Sequence, residues 1–275
     1  MTRDQARLFL DAMIGAAREA GETIRKVFSG TEGGVANFEQ KSAFDYVTET
    51  DKLCEKTIME ALKICDSSVP VVGEESFSGK ELPSSCWIVD PLDGTTNFIH
   101  RFPVVSVSIA RLENGKIIAG CVYDPLRDEI FTAIRGEGVY LNGRKMECST
   151  NQEPAVSLIA TGFPFRRKDI TDAYFCTFRE VFLKVSDIRR AGSAALDLAY
   201  VACGRLDGFW EVGLKPWDVA AGILFIEEAG GIVTDFWKRK QALHNGNIIA
   251  ASNRALYDIL TNAVTRHLLG LLNDA

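Results

Sequence analysis

The spacing of apolar residues changes period along the chain, and those changes constrain the fold more than any other feature. Near the N-terminus, Phe9, Met13, Ala16, Ala20, Ile24 and Phe28 recur every three or four positions, the stripe of an amphipathic helix. Gly30 and the Gly33-Gly34 pair are expected to end it. A second helix is predicted from about Thr50-Asp51, where polar capping residues precede Leu53, Ile58 and Leu62. The period then shortens. Val69-Pro70-Val71-Val72 and Trp87-Ile88-Val89 read as short buried strands that stop at acidic residues. Residues 104–110 and 116–123 are β-branched runs around the turn Glu113-Asn114-Gly115, the pattern of a hairpin. Residues 129–134 and 139–141 continue it as far as the turn Asn142-Gly143. Helical spacing returns over 171–182, 193–203, 217–229 and 255–268, with strand candidates at 207–212, 231–234 and 247–251 between them. Helices, then strands, then alternation predict a layered α/β or α+β fold. No repeat or Pro/Ser-rich linker interrupts it, so residues 1–275 read as one unit with a possible internal seam near 143–154.

Composition narrows the partners. The chain carries 37 acidic against 31 basic residues, a formal net charge of −6. Non-specific nucleic-acid binding runs on cationic contacts to phosphates, so no direct nucleic-acid contact is expected. Small anionic substrates remain compatible, because metal ions can invert a local field. The 7 cysteines are scattered and form no CxxC pair, which argues against a disulfide framework or a structural zinc site. The N-terminus has no apolar stretch behind a basic start, and no apolar run is long enough to span a bilayer. A cytoplasmic protein with no membrane contact is expected.

The strongest local signal is the run from Trp87 to Asn97. A buried strand ends at Asp90, and Pro91 disfavours helical geometry there. Asp93 follows at a turn, Gly94 can take backbone angles closed to other residues, and Thr95-Thr96 can open a short helix. A helix start offers free N–H groups to a phosphate, and nearby carboxylates suit Mg²⁺ clamped between protein and phosphate oxygens. Each piece has an ordinary alternative. Asp93-Gly94 is a common turn pair, and Glu74-Glu75 reads as a solvated pair. Asp218, after Lys215-Pro216-Trp217, reads as an acid in the first turn of a helix opened by Pro216. Convergence would change their weight. Like charges about 4 Å apart cost about 4 kcal/mol at an effective dielectric of about 20, which a fold tolerates only with cations present. Spacing alone leaves convergence open.

Three segments carry a resemblance. Gly73-Glu74-Glu75-Ser76, the run Trp87-Ile88-Val89-Asp90-Pro91-Leu92-Asp93-Gly94-Thr95-Thr96-Asn97-Phe98, and Trp217-Asp218-Val219-Ala220-Ala221-Gly222 together resemble the inositol monophosphatase family, particularly its bacterial branch. The resemblance implies an α+β fold, a layered α-β-α-β-α sandwich of the sugar-phosphatase type. It implies a homodimer and two to three Mg²⁺ per site. Glu74, Asp90 and the Leu92 carbonyl would hold one ion. Asp90, Asp93 and Asp218 would hold a second, and a weaker third would lean on Glu74. Thr95, partnered by Asp51, would activate the attacking water, with no covalent phosphoenzyme. Asp51 also reads, on its own, as a helix N-cap. Gly94 and Thr95 N–H groups would bind phosphate oxygens. Asp93, Gly192, Ser193, Ala194 and Glu211 would meet the substrate.

The implied activity is hydrolysis of inositol 1-phosphate or a similar small polyol or sugar phosphate, with sensitivity to Li⁺. Fructose-1,6-bisphosphatase, or both activities together, is the alternative within the same chemistry. Binding to the transcription machinery is an alternative of another class. Arg166 or Arg167 is a candidate for a second phosphate, and Arg189-Arg190 fits either a subunit interface or the substrate side. Lys41 and Asp45 are a candidate ion pair near the metals. His100 reads as packing, His244 and His267 as surface residues, and Cys203 as core.

Overall fold

The computed structural model describes residues 2–30, 38–42, 45–79 and 81–272. Helix α1 (Arg3–Phe28) starts on Thr2, whose hydroxyl accepts the Gln5 N–H, and buries the predicted stripe. It stops before the glycines; Gly33-Gly34 lies outside the described residues. A hairpin, β1 (Phe38–Ser42) and β2 (Asp45–Thr48), leads into α2 (Glu49–Cys65). Both helices cover one face of a seven-stranded sheet. Its strands run in chain order: β3 (Val71–Gly73), β4 (Cys86–Asp93), β5 (Ser106–Glu113), β6 (Lys116–Asp124), β7 (Glu129–Ile134), β8 (Gly138–Leu141) and β9 (Arg144–Met146). Only β3 and β4 pair in parallel; the rest are meanders. Asn114 and Gly115 both take positive φ, so the predicted β5–β6 turn has the twist a tight hairpin needs.

Residues 147–157 carry the chain to a second sheet, ordered β11 (Asp187–Arg189), β10 (Leu158–Thr161), β12 (Gly208–Glu211), β14 (Ile248–Ala251) and β13 (Ile232–Thr234). Four larger helices and one short one belong to this half: α4 (Thr171–Phe182), α5 (Ala194–Ala202), α6 (Pro216–Glu228), α7 (Ala242–Asn245) and α8 (Arg254–His267). Strands β10 and β11 were not legible: β10 is four residues long and β11 is a half-exposed edge.

The layers follow from which face each strand buries. Side chains alternate across a strand. On β4, Trp87 and Val89 pack under α1 and α2, while Cys86 and Ile88 pack against α5 and α6. Helices α5 and α6 lie between the sheets, so they are apolar nearly all round. Their core takes Ile88 and Val122 from one sheet and Phe209 and Ala250 from the other. The far face of the second sheet buries Trp210 and Ile249 against α4 and α8. The order is α-β-α-β-α, as the resemblance implies. Among the described residues no helix is long and apolar enough to cross a membrane. Leu224 on α6 is fully buried in the central layer. Replacing it with alanine is expected to cost about 3 kcal/mol, read as a lower urea midpoint with an unchanged slope.

Candidate active site

The site forms where β4 ends beside the N-termini of α5 and α6. In a regular strand Asp90 and Asp93, three apart, would face opposite sides. They do not, because the β4–β5 register slips. Asp90 pairs with Ser108 and Asp93 with Ser106, three steps against two. That bulge returns Asp93 to the face of Asp90. Both serines of β5 point the same way: Ser108 Oγ donates to the Trp217 carbonyl, and Ser106 Oγ lies 3.2 Å from Ser193 Oγ. Asp90 is 1% exposed, and one of its oxygens accepts the Leu92 N–H at 3.0 Å.

The other acids come from three directions. Parallel pairing sets Gly73 against Val89, and the Glu74 N–H reaches the Val89 carbonyl at 3.1 Å, which levels Glu74 with Asp90. Asp218 is the third residue of α6, after Pro216, and accepts the Lys215 N–H at 2.7 Å. Asp93 Oδ2 accepts the Ser193 hydroxyl at 2.6 Å and the Ala195 N–H at 2.9 Å. The acids therefore converge. Burial pushes the Asp90 carboxyl well above its ordinary range, and Glu74, Asp93 and Asp218 push it further. Asp218 rises with burial, then Glu74 and Asp93. Asp93 rises with burial too, against the pull of Ser193 and the start of α5.

This donor set fits Mg²⁺. It is made of hard carboxylate oxygens, and the Leu92 residue borders the same cleft. Buried acids raised by one another need compensating charge. Lys41 supplies some: its Nζ lies 3.1 Å from Glu74 and 2.5 Å from Glu75. The pair expected for Lys41, Asp45, has its side chain outside the described residues. Among the described residues no three acidic side chains are grouped closely enough to hold an ion between them.

Thr95 and Asp51 meet across 44 positions of sequence: Thr95 Oγ1 donates to Asp51 Oδ1 at 3.0 Å. Asp51 is held from behind by a capping box, its other oxygen accepting from the Thr48 N–H at 2.8 Å and from the Thr48 hydroxyl. The N-cap is Thr48 and not Asp51: Asp51 is the third residue of α2, one oxygen closing the capping box while the other faces Thr95. Burial raises its carboxyl, against the hydrogen bonds. Gly94 opens α3 (Thr95–Ile99) with φ +95°, and a Cβ there would lie 2.8 Å from the Val104 carbonyl, so glycine is required on both counts.

The cleft has a volume of about 480 Å³. Gly192 and Ala194 border it. Ser193 does not: it is fully buried, and its hydroxyl serves Asp93 and the cap of α5. Of the arginine pairs, Arg166 and Arg190 line the cleft, stacked on Phe165 and Phe163. Arg167 and Arg189 pair outward with Asp169 and Asp187. Cys203 is buried, whereas His100 is exposed rather than packed. Glu211 lines the cleft, and burial pushes its carboxyl up to about 8. A raised carboxyl favours folding below its unfolded pKa and loses that advantage as pH climbs towards the folded value. Glu211→Gln is therefore expected to gain thermal stability over wild type at pH 8 and to converge with it near pH 5, in melts without added metal. Sequence reading missed Asp197, a cleft residue that is 3% exposed. Its signal was available: an acid among apolar residues, on a helix read as buried, is costly unless used.

A layered α+β fold holding a carboxylate cluster, a hydroxyl–carboxylate dyad and a glycine-opened helix start in one cleft defines a recognisable class of protein. The model of the inositol monophosphatase family matches residues 5–269, and this chain belongs to that family. It is 43% identical over 255 residues to the Nus factor SuhB of Escherichia coli K12, covering 92% of this chain and 94% of that protein. Among solved structures it resembles the extragenic suppressor protein suhB of Bartonella henselae, with a TM-score of 0.86, 40% identity, and coverage of 94% and 98% of the two chains. It also resembles the inositol monophosphatase of Anabaena sp. PCC 7120, with a TM-score of 0.83, 35% identity, and coverage of 97% and 99%.

Proposed function

We propose that the protein is a Mg²⁺-dependent phosphomonoesterase acting on myo-inositol 1-phosphate or a similar small polyol or sugar phosphate. The observation that carries this reading is the convergence of Glu74, Asp90, Asp93 and Asp218 beside the Thr95–Asp51 dyad. When bound, Mg²⁺ supplies the positive charge that makes water nucleophilic near neutral pH and stabilises the leaving oxygen. Glu74, Asp90 and the Leu92 carbonyl would hold one ion, and Asp90, Asp93 and Asp218 a second, with a weaker third on Glu74. The residues of the chain do the positioning. Ser193 and the start of α5 fix Asp93. Thr95 donates its hydrogen to Asp51, which leaves an oxygen lone pair to take a proton from the attacking water while Asp51 takes the hydroxyl proton. Gly94 and Thr95 sit where a helix's N–H groups lack internal partners, so they are assigned to the phosphate oxygens. Gly192, Ala194 and Glu211 are assigned to the alcohol. A homodimer in the cytoplasm, inhibited by Li⁺ competing for a Mg²⁺ position, completes the reading.

The test is phosphate release from a panel, with Mg²⁺ and with EDTA: inositol 1-phosphate, fructose 1,6-bisphosphate, histidinol phosphate and 3′-phosphoadenosine 5′-phosphate. Mg²⁺-dependent release from inositol 1-phosphate is expected, and no release from any member would sink the reading. Arg166 and Arg190 in the cleft favour fructose 1,6-bisphosphate as the second substrate to examine.

A second reading rests on relatives named Nus factor: the chain acts as a partner of the transcription machinery. An Asp93→Asn protein separates the two. If its cellular role survives the loss of catalysis, the interaction is the role.

A further inference from the structure

Acids around the cleft are tied down by hydrogen bonds: Asp51 by Thr48 and Thr95, Glu74 by Lys41, Asp90 by Leu92, Asp93 by Ser193, and Asp218 by Lys215. Two are not. Asp197, in the first turn of α5, is 3% exposed, and Glu211, at the end of β12, is 7% exposed. Both border the cleft, and neither carboxyl accepts a hydrogen bond from the described residues. They interact with each other and with the Arg190 guanidinium, which offsets their charge from a distance. Both carboxyls face the cleft with no donor of the described residues upon them, so a group entering the cleft can hydrogen-bond to them there.

The backbone makes room for this arrangement. A Cβ at Gly162, just past β10, would lie 1.9 Å from Glu211 Oε1 and 2.0 Å from its Cδ. Glu211 therefore holds its place only because residue 162 lacks a side chain. Two carboxyls on neighbouring walls complement hydroxyl groups, which can both donate to them and accept from them. An aryl or alkyl group offers neither carboxyl a hydrogen bond.

Resting on the phosphatase reading, we propose that Asp197 is a specificity-determining residue that, paired with Glu211, accepts hydrogen bonds from hydroxyls of the alcohol and selects polyol phosphates. Hydrogen bonds to charged groups of this kind are worth about tenfold or more in affinity.

The experiment compares wild type with D197A, using myo-inositol 1-phosphate and p-nitrophenyl phosphate with Mg²⁺. The ratio of kcat/KM for the inositol ester to that for the aryl ester is expected to fall about tenfold in D197A, mainly through KM. The melting temperature is expected to stay level or rise, because an unpartnered buried acid is removed. If D197A fails to fold, D197L, which keeps the branching and removes both oxygens, carries the same comparison. An unchanged ratio, with both substrates falling together or neither falling, overturns the inference while leaving the phosphatase reading intact. A wild-type protein that hydrolyses neither ester overturns that reading and the inference with it.

Discussion

Asp90→Asn is expected to slow Mg²⁺-dependent phosphate release at least about 10²-fold, with the fold intact. Asp90 is the acid that feels the other three most directly, and it is assigned to two ions at once. Asparagine keeps the shape and an oxygen that can accept the Leu92 N–H, so the bulge survives. It removes the charge. The same change should raise the melting temperature measured in EDTA, since one buried like charge disappears from the cluster. Opposite signs for activity and stability are the signature expected of a residue kept for function. A variant that lost both would place Asp90 in the architecture instead.

The second large effect concerns the dyad. Thr95→Val keeps the shape but removes the hydroxyl that links water to Asp51, and a loss of about 10² to 10⁴ in kcat is expected. Thr95→Ser should restore much of it. Asp51→Asn should cost a comparable factor, and the double variant little more than either single one, because the two act as a unit. Asp51→Asn also disturbs the capping box with Thr48, at about 1 kcal/mol. Rates are therefore to be compared well below the melting temperature. Additive losses in the double variant would mean that the groups act separately.

Much of this was legible in the sequence, and the parts that were not share a cause. The α1 stripe and the β5–β6 hairpin follow from local spacing and turn chemistry, and both stand as expected. The order of elements left α/β and α+β open, and only the three motifs favoured the five-layer arrangement. The acids were visible one by one, but their convergence was not. Asp90 and Asp93 share a face only through a bulge set by pairing with β5, and Glu74 is level with them only through β3. Long-range pairing of this kind leaves no periodic trace in the chain. Ser193 illustrates the opposite error. Its motif pointed to substrate contact, yet its hydroxyl is turned inward onto Asp93. Asp197 was passed over because the helix around it reads as core.

Calorimetric titration of the protein with Mg²⁺ asks whether the four acids from distant segments form a Mg²⁺ centre. At least two ions per chain are expected for wild type, and a loss of stoichiometry in Asp90→Asn. Failure of wild type to bind Mg²⁺, or binding that Asp90→Asn leaves untouched, would contradict such a centre.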